Sequence, residues 1–160
     1  MPKTKNVGAV RGGEGRFYFD MARLKKIDAG GGYSTSHGGV VEGERMMVAL
    51  INKPRGTGSR LHVHKNEQFN YVLRGTLRCE VAGKKSIAGP GTLIYIPANT
   101  PHATIATKDE DVVFLAIKDL SAKIAGKPVD RKASGAHYDP GFEPKKNGAR
   151  TRARKRVTSR

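Results

Sequence analysis

The sequence predicts an all-β barrel or sandwich, and three observations carry that prediction. Short apolar or alternating runs recur about every 8 to 12 residues from position 45 to position 117. Turn-forming residues separate the runs, with 20 glycines available for tight reversals. No stretch between them holds a 3.6-residue apolar period long enough to pack a helix on a sheet. The chain of 160 residues suffices for one core and not comfortably for two, and its apolar content of 37% suits a compact domain with polar extensions.

The elements follow in order. Residues 1–15 read as a flexible arm, with Gly8, Gly12, Gly13 and Gly15 set among charges. Phe17, Tyr18 and Phe19 fit a short strand or an anchor against the barrel. Apolar groups at Met21, Leu24 and Ile27 allow a helical turn or two, capped by Asp20 and ended by Gly30, Gly31 and Gly32. Ser34, Thr35, Ser36 and His37, between glycine clusters, predict a loop. Residues 45–51 are apolar enough for a well-covered strand, and residues 52–58 turn the chain. Residues 60–65 then alternate, with Leu61 and Val63 opposite His62 and His64. Further strands are expected at 67–73, 77–81, 85–87, 93–96, 102–107 and 112–117, with a hairpin turn at 82–85. The apolar signal fades beyond Asp119. The expected organisation is an arm with an extra strand or helical turn over 1–39, a barrel over 40–120, and a basic extension over 121–160 whose last part is disordered.

The net charge of +16 is unevenly placed: +4 over residues 1–39, +3 over 40–120 and +9 over 121–160. The terminal run, with Arg150, Arg152, Arg154, Lys155, Arg156 and Arg160, has the cations to touch phosphates. No aromatic residue interleaves it to stack bases, and residues 1–39 are too few for a separate helix-turn-helix domain, which argues against specific nucleic-acid binding. The one cysteine, Cys79, excludes an internal disulfide and reads as a small buried apolar group. No apolar leader follows the N-terminus and no run approaches 18 apolar residues, so a cytoplasmic, non-membrane location is expected.

The chemistry gathers in two clusters. The period of two places His62 and His64 on one face of a strand, where two imidazoles can converge on one ion. A third ligand must come from a neighbouring strand, and His102 is the candidate, with Glu67 or Gln68 as an oxygen ligand. Imidazoles with one oxygen donor suit a divalent transition metal, Fe, Mn, Ni, Co, Cu or Zn, better than Ca or Mg.

These two clusters resemble the paired motifs of the cupin superfamily in its small single-domain form. Gly56, His62, His64, Gln68 and Gly75 match the first motif in spacing, with Gln68 at the place usually held by a glutamate and Glu67 one residue early. Gly91, Pro97, Asn99 and His102 match the second, Asn99 standing for a glycine and Ala106 for an asparagine. The resemblance spans residues 40–120 and implies a cupin double-stranded β-helix, or jelly-roll barrel, holding a metal through His62, His64, Gln68 and His102. A neutral Gln68 leaves the site one negative charge short of the glutamate form, which should raise the metal's Lewis acidity and redox potential. The superfamily includes dioxygenases, isomerases, decarboxylases, lyases and non-enzymatic binders, so the motifs do not choose a reaction.

The reading that follows is a metal-dependent enzyme on a small molecule, a dioxygenase of an aromatic or dicarbonyl-type substrate. The alternatives are a lyase, decarboxylase or isomerase using Lewis-acid enolate chemistry, and a non-catalytic metabolite binder. Counting outward from the histidines puts Arg60 on their face, where its guanidinium would hold a substrate carboxylate or enolate oxygen. His37 and Tyr33 are candidates for acid–base work over the cavity. Asn66, Asn70 and Val72 should face inward with Gln68, Thr104 should share the side of His102, and Tyr95 could overhang the mouth. An exposed sheet face with Met47, Ile51 and the apolar groups of residues 112–117 would favour a homodimer.

Overall fold

The computed structural model describes residues 3–131 and 135–146, so the terminal basic run from residue 147 lies outside the described residues. The strands are β1 (Val10–Arg11), β2 (Ile27–Asp28), β3 (His37–Glu42), β4 (Met46–Lys53), β5 (Thr57–Gly58), β6 (His62–Val63) and β7 (Gln68–Arg74). They continue as β8 (Leu77–Val81), β9 (Lys84–Ala88), β10 (Leu93–Ile96), β11 (His102–Ala106), β12 (Val112–Asp119), β13 (Lys127–Pro128) and β14 (His137–Tyr138). The helical content of the described residues is one 3-10 turn, Met21–Arg23, whose Asp20 makes no side-chain capping bond. No helix among them is long and apolar enough to cross a membrane.

Two sheets face each other. One runs β1-β3-β4-β12-β7-β10 with β2 on β3. The other runs β13-β6-β11-β5-β14, with β8 on the far side of β11 and β9 on β8. Within this jelly roll, β5 and β6 lie end to end along β11, so the two histidine clusters meet: His102 pairs with His62 and Ile105 with Gly58. Glycine is needed at 58, because a Cβ there would stand 2.3 Å from the carbonyl oxygen of Thr104.

Strand alternation selects what faces inward. β4 turns Met47, Ala49, Ile51 and Lys53 in, and β12 turns Val112, Phe114, Ala116 and Lys118 in. Val72, Leu77, Ile94, Ile96 and Ala106 complete the apolar filling, each large side chain contributing about 1.5–3 kcal/mol by leaving water. Asn99 adopts φ 56°, the left-handed turn geometry expected of it in place of glycine.

Four expectations are corrected. The N-terminal arm is tied down: the buried carboxylate of Glu42 accepts from Lys5 N (2.7 Å), Asn6 N (2.8 Å) and Asn6 Nδ2 (2.8 Å). Asn6 Oδ1 in turn accepts from Ile124 N at 2.8 Å, joining the two extensions over the barrel. His37 belongs to a strand, pairing with Asp28 and Asn52, rather than to a loop. Met47 and Ile51 are core residues at 1% and 2% exposure, so the outward face belongs to their neighbours. Tyr95 is on that outer face against Phe69, with ring centroids 5.0 Å apart, and does not overhang the cavity.

Beyond residue 120 the chain remains attached. β13 pairs with β6 and β14 with β5. Asp139 is buried and accepts from Arg78 at 2.7 and 2.8 Å and from His137 at 2.9 Å. Burial alone would raise its carboxyl, but the bonds from His137 and Arg78 hold it below the ordinary value of 3.8.

Candidate metal centre and its cavity

His62 lies on β6, His64 one residue beyond that strand, and His102 opens β11. All three are buried, and one ring nitrogen from each lies within 4.8 Å of the others. Ring centroids of His62 and His102 are 4.1 Å apart, and those of His64 and His102 are 4.7 Å apart. The backbone sets their tautomers. Nδ1 of His62 bonds the carbonyl of Arg60 (2.7 Å), that of His64 the carbonyl of Asn66 (2.9 Å), and that of His102 the carbonyl of Thr100 (2.8 Å). A carbonyl oxygen only accepts, so each Nδ1 carries the proton and each Nε2 keeps its lone pair for a ligand-binding role.

Burial is the largest influence holding the imidazoles neutral. It takes His62 from 6.5 down to about 2, with His102 adding to the effect. It takes His64 to about 4, helped by Lys118, and His102 to about 3 against the opposing bond to Thr100. Neutral imidazole is the ligating form.

Gln68 opens β7 and is buried, whereas Glu67 is exposed and its N–H donates to Asp119 Oδ2 at 2.6 Å. Gln68 Nε2 donates to Asn70 Oδ1 (2.6 Å), which turns Oε1 toward His64 Nε2 at 2.9 Å. With Nδ1 of His64 protonated, these are two acceptors facing each other. Two donors each about 2.1 Å from a shared ion and at right angles would stand about 3.0 Å apart, so a cation would relieve that contact. The residues present therefore fit a metal, held by three imidazoles and one amide oxygen.

His62, His102 and Gln68 border a cavity of about 40 Å³. A drug-sized ligand needs roughly 300–1,000 Å³, so this space admits only a small molecule without rearrangement. Asn70 and Thr104 line it as alternation predicts. Tyr33 lines it too: its ring lies 4.4 Å from that of His62, and its hydroxyl oxygen accepts from Gly126 N at 2.7 Å. Burial pushes the Tyr33 phenol up to about 12, the bond from Gly126 opposing, so it stays protonated at neutral pH.

Arg60 and His37 are elsewhere. The chain bends at Leu61, which breaks the two-residue count and brings Ser59, not Arg60, to the cavity wall. The Arg60 guanidinium instead binds both Asp130 oxygens at 2.7 Å and the Gly135 carbonyl at 2.7 Å, and it is the Arg60 carbonyl that serves the site by orienting His62. Val40 and Glu42 take the inward positions of β3, so His37 is turned outward, its Nδ1 donating to Thr35 O at 3.1 Å.

Sequence reasoning missed two lysines. Lys53 Nζ donates to Thr104 O (2.8 Å) and Oγ1 (2.7 Å), and Lys118 Nζ donates to Ile124 O (2.6 Å); both line the cavity. Burial lowers both ammonium groups to about 7. One more step of the alternation in each strand, from Ile51 to Lys53 and from Ala116 to Lys118, would have placed them.

Part of the chain is similar to known proteins. Residues 49–118 match the model of the cupin domain family. Over 104 residues the chain is 31% identical to quercetin 2,3-dioxygenase of Bacillus subtilis strain 168, a match covering 64% of this chain and 28% of that enzyme. Among solved structures, an RmlC-like cupin from Shewanella frigidimarina NCIMB 400 superposes with a TM-score of 0.53 at 19% identity, covering 64% of this chain and 88% of that one. The DMSP lyase DddQ from Ruegeria pomeroyi DSS-3 gives 0.52 at 22% identity, covering 59% of this chain and 48% of that one. At such identities the two structures speak to the fold alone. Fold, motif spacing and the family match agree, and residues 49–118 of the chain form a cupin domain.

Proposed function

We propose that this chain is a metal-dependent enzyme acting on a small dicarbonyl-type substrate, as a dioxygenase. The observation that carries the reading is the convergence of His62, His64 and His102 beside Gln68 at the edge of one cavity, every ligating atom neutral and already oriented. A bound transition metal would supply redox or Lewis-acid chemistry there. Around it, the Nδ1 bonds hold the imidazoles, Asn70 holds the Gln68 amide, and Tyr33 packs against His62. The 31% identity to a dioxygenase supports the reaction class. The cavity volume of about 40 Å³ favours a small dicarbonyl over an aromatic substrate.

A second reading, Lewis-acid lyase, decarboxylase or isomerase chemistry, draws its support from Lys53 and Lys118. Amines lowered to about 7 can exchange a proton with an enolate at neutral pH. The experiment is metal titration of chelator-treated wild type and His102→Ala, followed by oxygen uptake across small β-dicarbonyl and aromatic compounds. One metal per wild-type chain, lost in the variant, with uptake on a small dicarbonyl is the expected result. Product without oxygen consumption selects the second reading, and binding with no product leaves a metabolite binder.

The expected homodimer contact loses the buried Met47 and Ile51 and keeps the outward residues of 112–117. Leu115, Tyr71 and Leu93 align across β12, β7 and β10, and Ile117, Phe69 and Tyr95 form the next row outward. Tyr71 and Leu93 are 40% and 56% exposed, an apolar strip suited to a second copy. A monomeric mass at micromolar concentration would count against it.

A further inference from the structure

The cavity contains more positive donor capacity than the protein itself uses. An ammonium group has three N–H donors. Lys53 gives two to Thr104, and Lys118 gives one to Ile124. Three donors are thus left over at the cavity wall, one from Lys53 and two from Lys118. They come from two strands, and Lys118 is paired in register with Gln68 while Lys53 is bonded to Thr104, two residues along β11 from His102. The lysines therefore flank the histidine cluster on two sides. No Asp or Glu lies among the described residues that line the cavity. Asp119, outside the lining, offsets Lys118 only in part, and a metal ion at the histidines would add to the positive excess. The size limit is equally strict, since about 40 Å³ accommodates roughly three water-sized groups.

We propose that Lys53 and Lys118 form an oxyanion-selecting pair, which makes the cavity specific for a short carboxylate of one to three carbons. Its carboxylate would take the leftover donors of one lysine while the second adds its charge from across the histidine cluster, and its other end would face His62 and His102. This deepens the enzymatic reading and rests on it for what becomes of the bound molecule. The selection itself belongs to the lysines. The function expected from Arg60 thereby passes to residues whose side chains reach the cavity.

The test uses the full chain and two probes of nearly equal shape, acetate and the neutral acetamide, titrated calorimetrically with and without bound zinc. Wild type should prefer acetate, and Lys53→Met and Lys118→Met should each weaken acetate roughly tenfold or more while leaving acetamide unchanged. Zinc titration of the same three proteins reads the metal site separately. Failure of wild type to take zinc while acetate preference persists would defeat the metal reading and leave the lysine pair standing. Equal affinity of wild type for acetate and acetamide, or retention of the preference in both variants, overturns the proposal. Thermal unfolding reports whether the variants fold, and the wild-type comparison decides even where they do not.

Discussion

Acidification of the metal-free protein provides a direct measure of the histidine cluster. In the unfolded chain His62, His64 and His102 take up protons near their ordinary value of 6.5, whereas the folded values are about 2, 4 and 3. Between those limits the unfolded state binds more protons, so stability present above 6.5 is lost as pH falls toward about 4. From pH 6.5 to pH 5 each imidazole accounts for about 1.6 kcal/mol, and the three for a ceiling of about 5 kcal/mol. That is comparable with the ~5–15 kcal/mol of a whole domain. Asp119 and Asp139, held below 3.8, enter only at lower pH, so this window belongs to the cluster. The assay is urea unfolding in chelator, followed by circular dichroism because the chain has no tryptophan. A change below about 1 kcal/mol between pH 6.5 and 5 would mean that the imidazoles charge in place, and would refute the argument from burial.

Three further outcomes are expected. Glu42→Ala leaves two buried N–H donors of Asn6 and a partly buried one of Lys5 without an acceptor and should cost about 2–5 kcal/mol, a melting decrease of roughly 10 °C; an unchanged melt would show that the arm is not held by this carboxylate. Tyr33→Phe keeps the ring on His62 and removes the acceptor of the Gly126 N–H, so stability should fall by about 1–2 kcal/mol while zinc affinity stays constant; zinc competition and urea unfolding check both parts. Gln68→Glu restores a negative charge beside His64 and should tighten zinc by at least about tenfold in competition with a chelator; equal affinity would place Gln68 outside the ligand set.

The strands were most legible where alternation was strict. Residues 77–81 are β8 to the residue, because inward Leu77 and Cys79 alternate with Arg78 and Glu80, and residues 93–96 are β10 to the residue as a short apolar run bounded by turn residues. The inward placement of Gln68, Asn70 and Val72 followed from the same count. Two kinds of information were hidden. A bend at Leu61 changes which parity faces in, and nothing local to Arg60 announces it. Lys53 and Lys118 break the apolar pattern at the strand ends, so a charged residue there reads as the start of a turn, although both are buried. The outlying strands β1, β2, β13 and β14, each of two residues, are too short to carry a period at all, and they form only because the barrel offers an edge to pair with.

The division of labour within the site follows the chain. Every metal-ligand candidate, together with Lys53, Thr104 and Lys118, falls within the matched residues 49–118. The wall that limits the cavity does not: Tyr33, Ser34 and Ser36 arrive from one extension and Ile124 from the other. Those extensions are fastened to each other as well as to the barrel, through Gly126 N on Tyr33 and Ile124 N on Asn6, with Asn6 held by Glu42. Ile124 links this wall to the interior a second time, since its carbonyl accepts from Lys118. Displacing the 120–126 segment would therefore open the cavity and free a lysine donor in one movement. The barrel positions the histidine cluster, and the joined extensions bound the cavity beside it.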